Sequence, residues 1–255
     1  MAACVLRERP LGPGRRVPIV WRVATVRAVR AETPKARTIA LDVPGWPGHV
    51  AGQHVDVRLT AEDGYTATRS YSIASVADGR LVEITVERLD DGEVSPYLVD
   101  DVRPGDQLEV RGPVGGWFVW RPAQTEPVLL VGGGSGVVPL MAMVRAHQAA
   151  ASTSAMRLVH SVRTPAARLY DDELAALPGV EVTHVYTRES PDGDPVGRLD
   201  GDRLAGLAFA PGDRATTYVC GPTGFVETVA DLLVGAGHDP ARVRTERFGP
   251  SGGSR

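Results

Sequence analysis

The chain has 255 residues, 43% of them hydrophobic and 23% charged, close to globular averages, which excludes wholesale disorder. Its 28 Lys and Arg against 31 Asp and Glu leave a net charge of −3, without the basic excess of a nucleic-acid binder. Two cysteines, Cys4 and Cys220, are too few for a [2Fe–2S] cluster or for a disulfide framework.

The length suits two domains. Residues 1–17, rich in Arg, Pro and Gly and without periodicity, read as a flexible N-terminal arm. This arm has no apolar core of a secretory signal, and no apolar run in the chain reaches the ~20 residues of a membrane helix. With so few cysteines, the expectation is a soluble cytoplasmic monomer with no nucleic-acid partner and no membrane insertion. Residues 18–121 read as all-β. Runs rich in β-branched residues at 19–30, 36–43, 54–59, 69–75, 81–88 and 106–113 are separated by turn pairs such as Asp63-Gly64, Asp91-Gly92 and Pro104-Gly105. Strands at this spacing predict an antiparallel sandwich or barrel, with one short helix near Pro96–Val102 behind a Ser95 cap.

The pattern changes at Arg121-Pro122. Strands are expected at 127–131, 156–162, 180–186, 216–220 and 243–249, and helices at 137–150, 169–177, 200–207 and 224–237. Such alternation predicts a parallel sheet with crossover helices over residues 122–249, followed by a tail at 250–255. The six histidines show no metal-ligand spacing and read as surface or core positions, so no metal site is expected.

Two segments carry chemistry. The strand at 127–131 runs into Gly132-Gly133-Gly134-Ser135-Gly136 and then a helix with Pro139 near its start. Backbone N–H groups of such a turn approach an anion closely, and the helix N-terminus adds partial positive charge. The turn lacks the Lys-Ser/Thr of a nucleotide triphosphatase loop. In Arg69-Ser70-Tyr71-Ser72, Arg69 and Tyr71 share one face of a strand, as a phosphate clamp and a flat stacking surface.

Arg69-Ser70-Tyr71-Ser72, together with Ser75, resembles the flavin-binding signature of the ferredoxin–NADP+ reductase superfamily. Gly52-Gln53, Gly92-Glu93-Val94-Ser95, Gly112-Pro113-Val114-Gly115, the glycine turn, Val219-Cys220-Gly221-Pro222 and Glu246-Arg247-Phe248-Gly249 resemble that family's remaining motifs in its order. The match runs over about residues 20–249. The resemblance implies an FAD-binding β-barrel followed by an NAD(P)-binding α/β domain. It implies that Arg69 pairs with the FAD pyrophosphate and that Ser70 lines the signature strand. Tyr71 would stack on the isoalloxazine and Ser72 would lie at its N5 edge, while Gly92, Val94 and Ser95 would bind the pyrophosphate. Gly133, Gly134, Ser135 and Gly136 would cradle the dinucleotide, and Cys220, Gly221 and Pro222 would sit at the nicotinamide. Glu246 and Phe248 would close the other flavin face. The chain continues beyond Phe248, as in bacterial-type members. Thr187 and Arg188, with Arg163 nearby, resemble the family's 2′-phosphate site, which favours NADPH over NADH.

The implied reaction is hydride transfer from nicotinamide to FAD, then single-electron transfer to a separate protein such as a ferredoxin or a cytochrome. Ser72, Cys220 and Glu246 are the candidates for orientation and proton handling. The alternatives are a flavin or quinone reductase with a small acceptor, and a non-catalytic electron-transfer or docking subunit.

Overall fold

The computed structural model describes residues 20–249. The expected arm at 1–17 and tail at 250–255 lie outside the described residues. Six strands build the first unit: β1 (Trp21–Thr33), β2 (Ala36–Asp42), β3 (His54–Thr60), β4 (Thr66–Ser72), β5 (Leu81–Glu87) and β6 (Gln107–Val114). They pair antiparallel in the order β4-β3-β6-β1-β2-β5, and an Ile73–Ile84 bridge links the chain leaving β4 to β5. The alternation of β-branched with polar residues drives this arrangement: Val26, Ile39, Leu41, Val55, Val57, Ile84, Val86 and Val110 point into one apolar core. The short helix expected at Pro96–Val102 is a wide π-helical turn over Tyr97–Asp101 that drops Leu98 and Val99 into that core.

Five strands build the second unit: β7 (Val128–Gly133), β8 (Met156–Val162), β9 (Val180–Tyr186), β10 (Thr216–Pro222) and β11 (Val243–Phe248). They are all parallel, in the order β11-β10-β7-β8-β9. Helix α1 (Val137–Ala149) packs on one face with Val138, Met141 and Val144. Helices α3 (Gly201–Leu207) and α4 (Thr223–Gly235) cover the other face through Leu204, Val226, Val229 and Leu233. The helix expected at 169–177 shrinks to α2 (Asp171–Ala175), because Tyr170 ahead of it adopts a left-handed φ of 58° and Leu177-Pro178 ends it. Helix α1 starts at Val137, two residues before Pro139; in the first helical turn the missing N–H of proline costs no hydrogen bond.

The strand order reverses at β7: the chain runs outward through β8 and β9, then returns to place β10 on the other side. Parallel α/β sheets bind ligands in the crevice at such a point, outside the carboxyl ends of the strands. Both the glycine turn and Cys220-Gly221-Pro222 lie there.

The two units share a core. Ala36, Ala51 and Ala74 of the first unit pack among Phe118, Leu140, Met143 and Tyr218. Polar fasteners run across it. The Tyr170 hydroxyl donates to Thr85 Oγ1 at 2.6 Å. Arg145 reaches the Ala74 carbonyl at 2.9 Å and Glu83 Oε2 at 3.3 Å. Tyr218 and Arg244 both donate to the Val119 carbonyl at 2.8 Å.

Candidate functional site

On β4 the side chains alternate as the strand period requires. Arg69 and Tyr71 stand opposite Val57 and Val55 of β3, on the barrel's core side. Tyr71 is half-buried against the core, and this burial pushes its hydroxyl pKa upward. Arg69 is exposed and forms an ion pair with Glu93, whose other oxygen accepts from the Tyr65 hydroxyl at 2.9 Å. Ser70 points to the opposite face, where it donates to Asp56 Oδ1 at 2.6 Å, beside Arg111. Its hydroxyl is thus committed to the sheet.

The 89–95 loop lies next to Arg69 through Glu93. Ser95 is buried, and its Oγ accepts the Leu89 N–H at 3.0 Å while keeping its own proton to donate. Gly92 packs so closely on Ser95 that a Cβ there would sit 2.8 Å from Oγ. Val94 is fully buried and anchors the loop in the barrel core.

In the second unit, Gly134–Gly136 forms one 3₁₀ turn between β7 and α1. Gly136 is required by a close approach: a Cβ there would lie 2.1 Å from the Cys220 carbonyl of the adjacent strand. Gly133 and Gly221 both lie flat on the Phe225 ring, at 2.7 Å for an added Cβ. Gly134 has φ +56°, and a side chain there would meet open space among the described residues. Ser135 is half-buried beside it.

The ends of the two sheets meet. Parallel pairing sets Cys220 beside Glu246, Gly221 beside Arg247 and Pro222 beside Phe248. Antiparallel pairing sets Ser72 opposite His54. Across the junction His54 Nδ1 lies 3.8 Å from Glu246 Oε1. Pairing and proximity therefore bring Cys220, Glu246 and His54 together where the two sheets end, with Ser72 opposite His54 on β4 and His54 a member not among the expected site residues. Its only signal is its place directly after Gly52-Gln53.

The electrostatics of this junction favour neutral groups. Burial pushes the Glu246 carboxyl up to about 7, and its Oε2 is buried without a partner among the described residues. Burial and the neighbouring Glu246 raise the Cys220 thiol well above its usual range, so it stays a thiol rather than a thiolate. Burial lowers His54, with the Asp56 charge opposing. Phe248 is partly exposed at the mouth, and Trp117 is exposed on the segment after β6.

A third group gathers at the ends of β8 and β9. Thr187 N–H bonds the Val162 carbonyl at 2.9 Å and Arg188 N–H the Arg163 carbonyl at 3.0 Å, which folds the two segments together. Arg163 and Arg188 are exposed and form no ion pair among the described residues. Two open grooves of about 420 and 370 Å³ lie at the other end of the sheet, along residues 147–157 and 178–181, away from every candidate residue.

These features fit a flavin and a nicotinamide dinucleotide. Among the described residues, the space at Gly134 is open, a cation stands beside a loop with a free hydroxyl proton, and a half-buried aromatic lies next to a junction with an orphaned buried carboxyl oxygen.

Comparison with known proteins agrees. Residues 25–119 match the oxidoreductase FAD-binding domain and residues 130–231 the oxidoreductase NAD-binding domain. A flavohemoprotein of Pseudomonas putida is 31% identical over 244 residues, which cover 91% of this chain and 60% of that protein. The ferredoxin reductase component of a 3-ketosteroid-9-alpha-monooxygenase from Rhodococcus rhodochrous is 31% identical over 235 residues, covering 89% of this chain and 64% of the relative. The chain thus spans less than two thirds of the length of either relative. The flavohem-like FAD/NAD-binding domain of a nitric oxide dioxygenase from Vibrio cholerae superposes with a TM-score of 0.81 at 27% identity, over 90% of this chain and 99% of that one.

Proposed function

The chain belongs to the ferredoxin–NADP+ reductase superfamily, and from that premise we propose that it is an FAD-dependent reductase that oxidises NADPH in preference to NADH. It passes single electrons to a separate acceptor protein of the ferredoxin or cytochrome kind. The observation that carries this reading is the junction where His54 of the barrel, opposite Ser72, lies near Glu246 of the parallel sheet, which pairs beside Cys220.

Bound FAD supplies the conversion between a two-electron donor and a one-electron acceptor. The chain's task is to hold two flat rings against each other and keep water out. In this reading Arg69 leaves Glu93 for the FAD pyrophosphate, which the Ser95 hydroxyl and the backbone of Gly92 and Val94 also bind. Tyr71 offers its ring face to the isoalloxazine, and Ser72 a hydroxyl to its polar edge. Gly133, Gly134, Ser135 and Gly136 take the nucleotide pyrophosphate. Cys220 is small and uncharged, so it leaves room for the nicotinamide, with Gly221 and Pro222 shaping the same wall. Glu246 holds a proton at its carboxyl near neutral pH, and Phe248 covers the mouth. Arg163, Thr187 and Arg188 form an uncommitted cationic and hydroxylic group of the kind a 2′-phosphate needs, which supports NADPH. The Rhodococcus rhodochrous relative, named as the ferredoxin reductase component of a monooxygenase, supports a protein acceptor.

The test is steady-state kinetics of the FAD-loaded protein with each nucleotide, and with either a ferredoxin and cytochrome c or free flavin and a quinone as acceptor. The reading expects higher kcat/KM with NADPH and turnover with the protein acceptors. In the Arg188→Ala variant KM for NADPH should rise about tenfold, with KM for NADH unchanged. Preference for NADH, or turnover with free flavin and quinone alone, contradicts it.

A further inference from the structure

His160 lies on β8 and is fully buried. Its Nε2 is 3.0 Å from the Gly134 carbonyl oxygen. A carbonyl oxygen only accepts, so Nε2 carries the proton and donates it. Nδ1 is then the bare nitrogen, and it is buried without a partner among the described residues. On the neighbouring strand, His184 lies 5.6 Å away ring to ring and stacks in turn on Tyr186, whose hydroxyl accepts from Arg168. Burial, with His184 and Arg168 adding to it, lowers the His160 pKa to about 3, so the ring is neutral and the bond persists at neutral pH. A buried imidazole with one orphaned nitrogen is a poor choice for packing alone, since an apolar ring would fill the space without that desolvation cost.

The Gly134 carbonyl accepts a second bond from the Val137 N–H. Two donors from the protein interior therefore fix the Gly134–Ser135 peptide plane. That peptide is planar and trans, so the carbonyl of Gly134 and the N–H of Ser135 point in opposite directions. Holding the first inward aims the second outward, and a Cβ added at Gly134 would meet nothing within 4 Å among the described residues. We propose that His160 is a positioning residue for the dinucleotide: by gripping the Gly134 carbonyl it presents the Ser135 N–H to the nucleotide's pyrophosphate. This rests on the reading of the glycine turn as the nucleotide site. The chemical class served is either nicotinamide adenine dinucleotide, because the pyrophosphate is common to NAD+ and NADP+ and the 2′-phosphate is not involved.

The experiment is calorimetric titration of the FAD-loaded full chain with NAD+ and with NADP+, for the wild type and for His160→Phe, His160→Gln and His160→Asn. Flavin content and melting temperature are followed in each. Gln places a donor where Nε2 stands; Phe has none, and Asn is too short to reach Gly134. The expected result is about tenfold weaker binding of both nucleotides in the Phe and Asn variants, by the same factor for each, with flavin content unchanged. Gln should restore affinity to within about threefold of the wild type. If Phe fails to fold, Gln against Asn decides. The inference is overturned if Phe or Asn binds as the wild type does, if Gln is as weak as Asn, or if affinity falls only where flavin is lost. A wild type that holds flavin but binds neither nucleotide overturns instead the reading of the turn on which the inference stands.

Discussion

Arg69 stands exposed on β4 with Glu93 as its ionic partner, and exposed pairs contribute little to stability. Arg69→Ala should therefore leave the melting temperature nearly unchanged while weakening FAD binding by at least about tenfold, read from fluorescence titration of the apoprotein. An unchanged FAD dissociation constant would remove Arg69 from the site. Cys220→Ala should keep its FAD and slow flavin reduction by the nucleotide on the order of tenfold, since a small wall change misplaces the ring. Glu246 carries the pH dependence. Its folded pKa of about 7 exceeds the ordinary carboxyl value of 4.5, so the folded state binds the proton more tightly than the unfolded chain. The stability it contributes is fully present below about pH 4.5 and is lost as pH rises through 7, a swing of about 3 kcal/mol. Glu246→Gln should abolish that swing, read as the difference in urea stability between variant and wild type from pH 4.5 to 8. Equal slopes for the two proteins would contradict it. His54 shifts in the opposite sense through its own burial, which is why the difference rather than the raw profile is the readout.

Among the elements, the glycine turn is tightly constrained backbone. A Cβ at Gly136 would lie 2.1 Å from the Cys220 carbonyl, and backbone cannot yield as a side-chain tip does. Gly136→Ala should cost at least about 3 kcal/mol and displace the Cys220 wall, read by thermal unfolding and by loss of nucleotide binding together. The turn was legible in the sequence because its glycines follow an apolar run and precede a helix. What the sequence hid was which glycine meets what: Gly136 answers to a strand more than 80 residues further on, and only the β7–β10 pairing shows it. His160 was hidden for the same reason. Its role depends on β8 lying beside β7, and a lone histidine in a strand carries no such mark. The expected α2 was too long because the Asp-Glu-Leu-Ala pattern is helical, while the left-handed Tyr170 is set by its hydroxyl reaching Thr85 in the other unit.

At the scale of the whole molecule, chemistry requires that the barrel and the parallel sheet stay in register, and Arg145 is the main fastener. Its side chain is mostly buried between Glu173, Glu83 and the Ala74 carbonyl, and it lies over the Tyr170 ring. Arg145→Ala should destabilise by roughly 3 kcal/mol, because it leaves carboxylates partly buried without a cation. It should slow flavin reduction even though no cofactor-facing group is touched. A melting temperature within a degree of the wild type would show that the units are held by the shared apolar core alone. The order of the two sheets was readable from the sequence, since the change from period-two strands to alternating strands and helices falls near Arg121. The meeting of their ends was not, because it rests on contacts such as His54 with Glu246 and Tyr218 with Val119 that join residues about 100 to 190 positions apart. In the proposed function, electrons pass at this junction from a nicotinamide nucleotide to FAD. Anaerobic stopped-flow mixing of the FAD-loaded protein with NADPH or NADH, followed at the oxidised flavin band, tests it directly. Rapid bleaching, faster with NADPH, is the expected result; a flavin band that neither nucleotide bleaches rules the proposed function out.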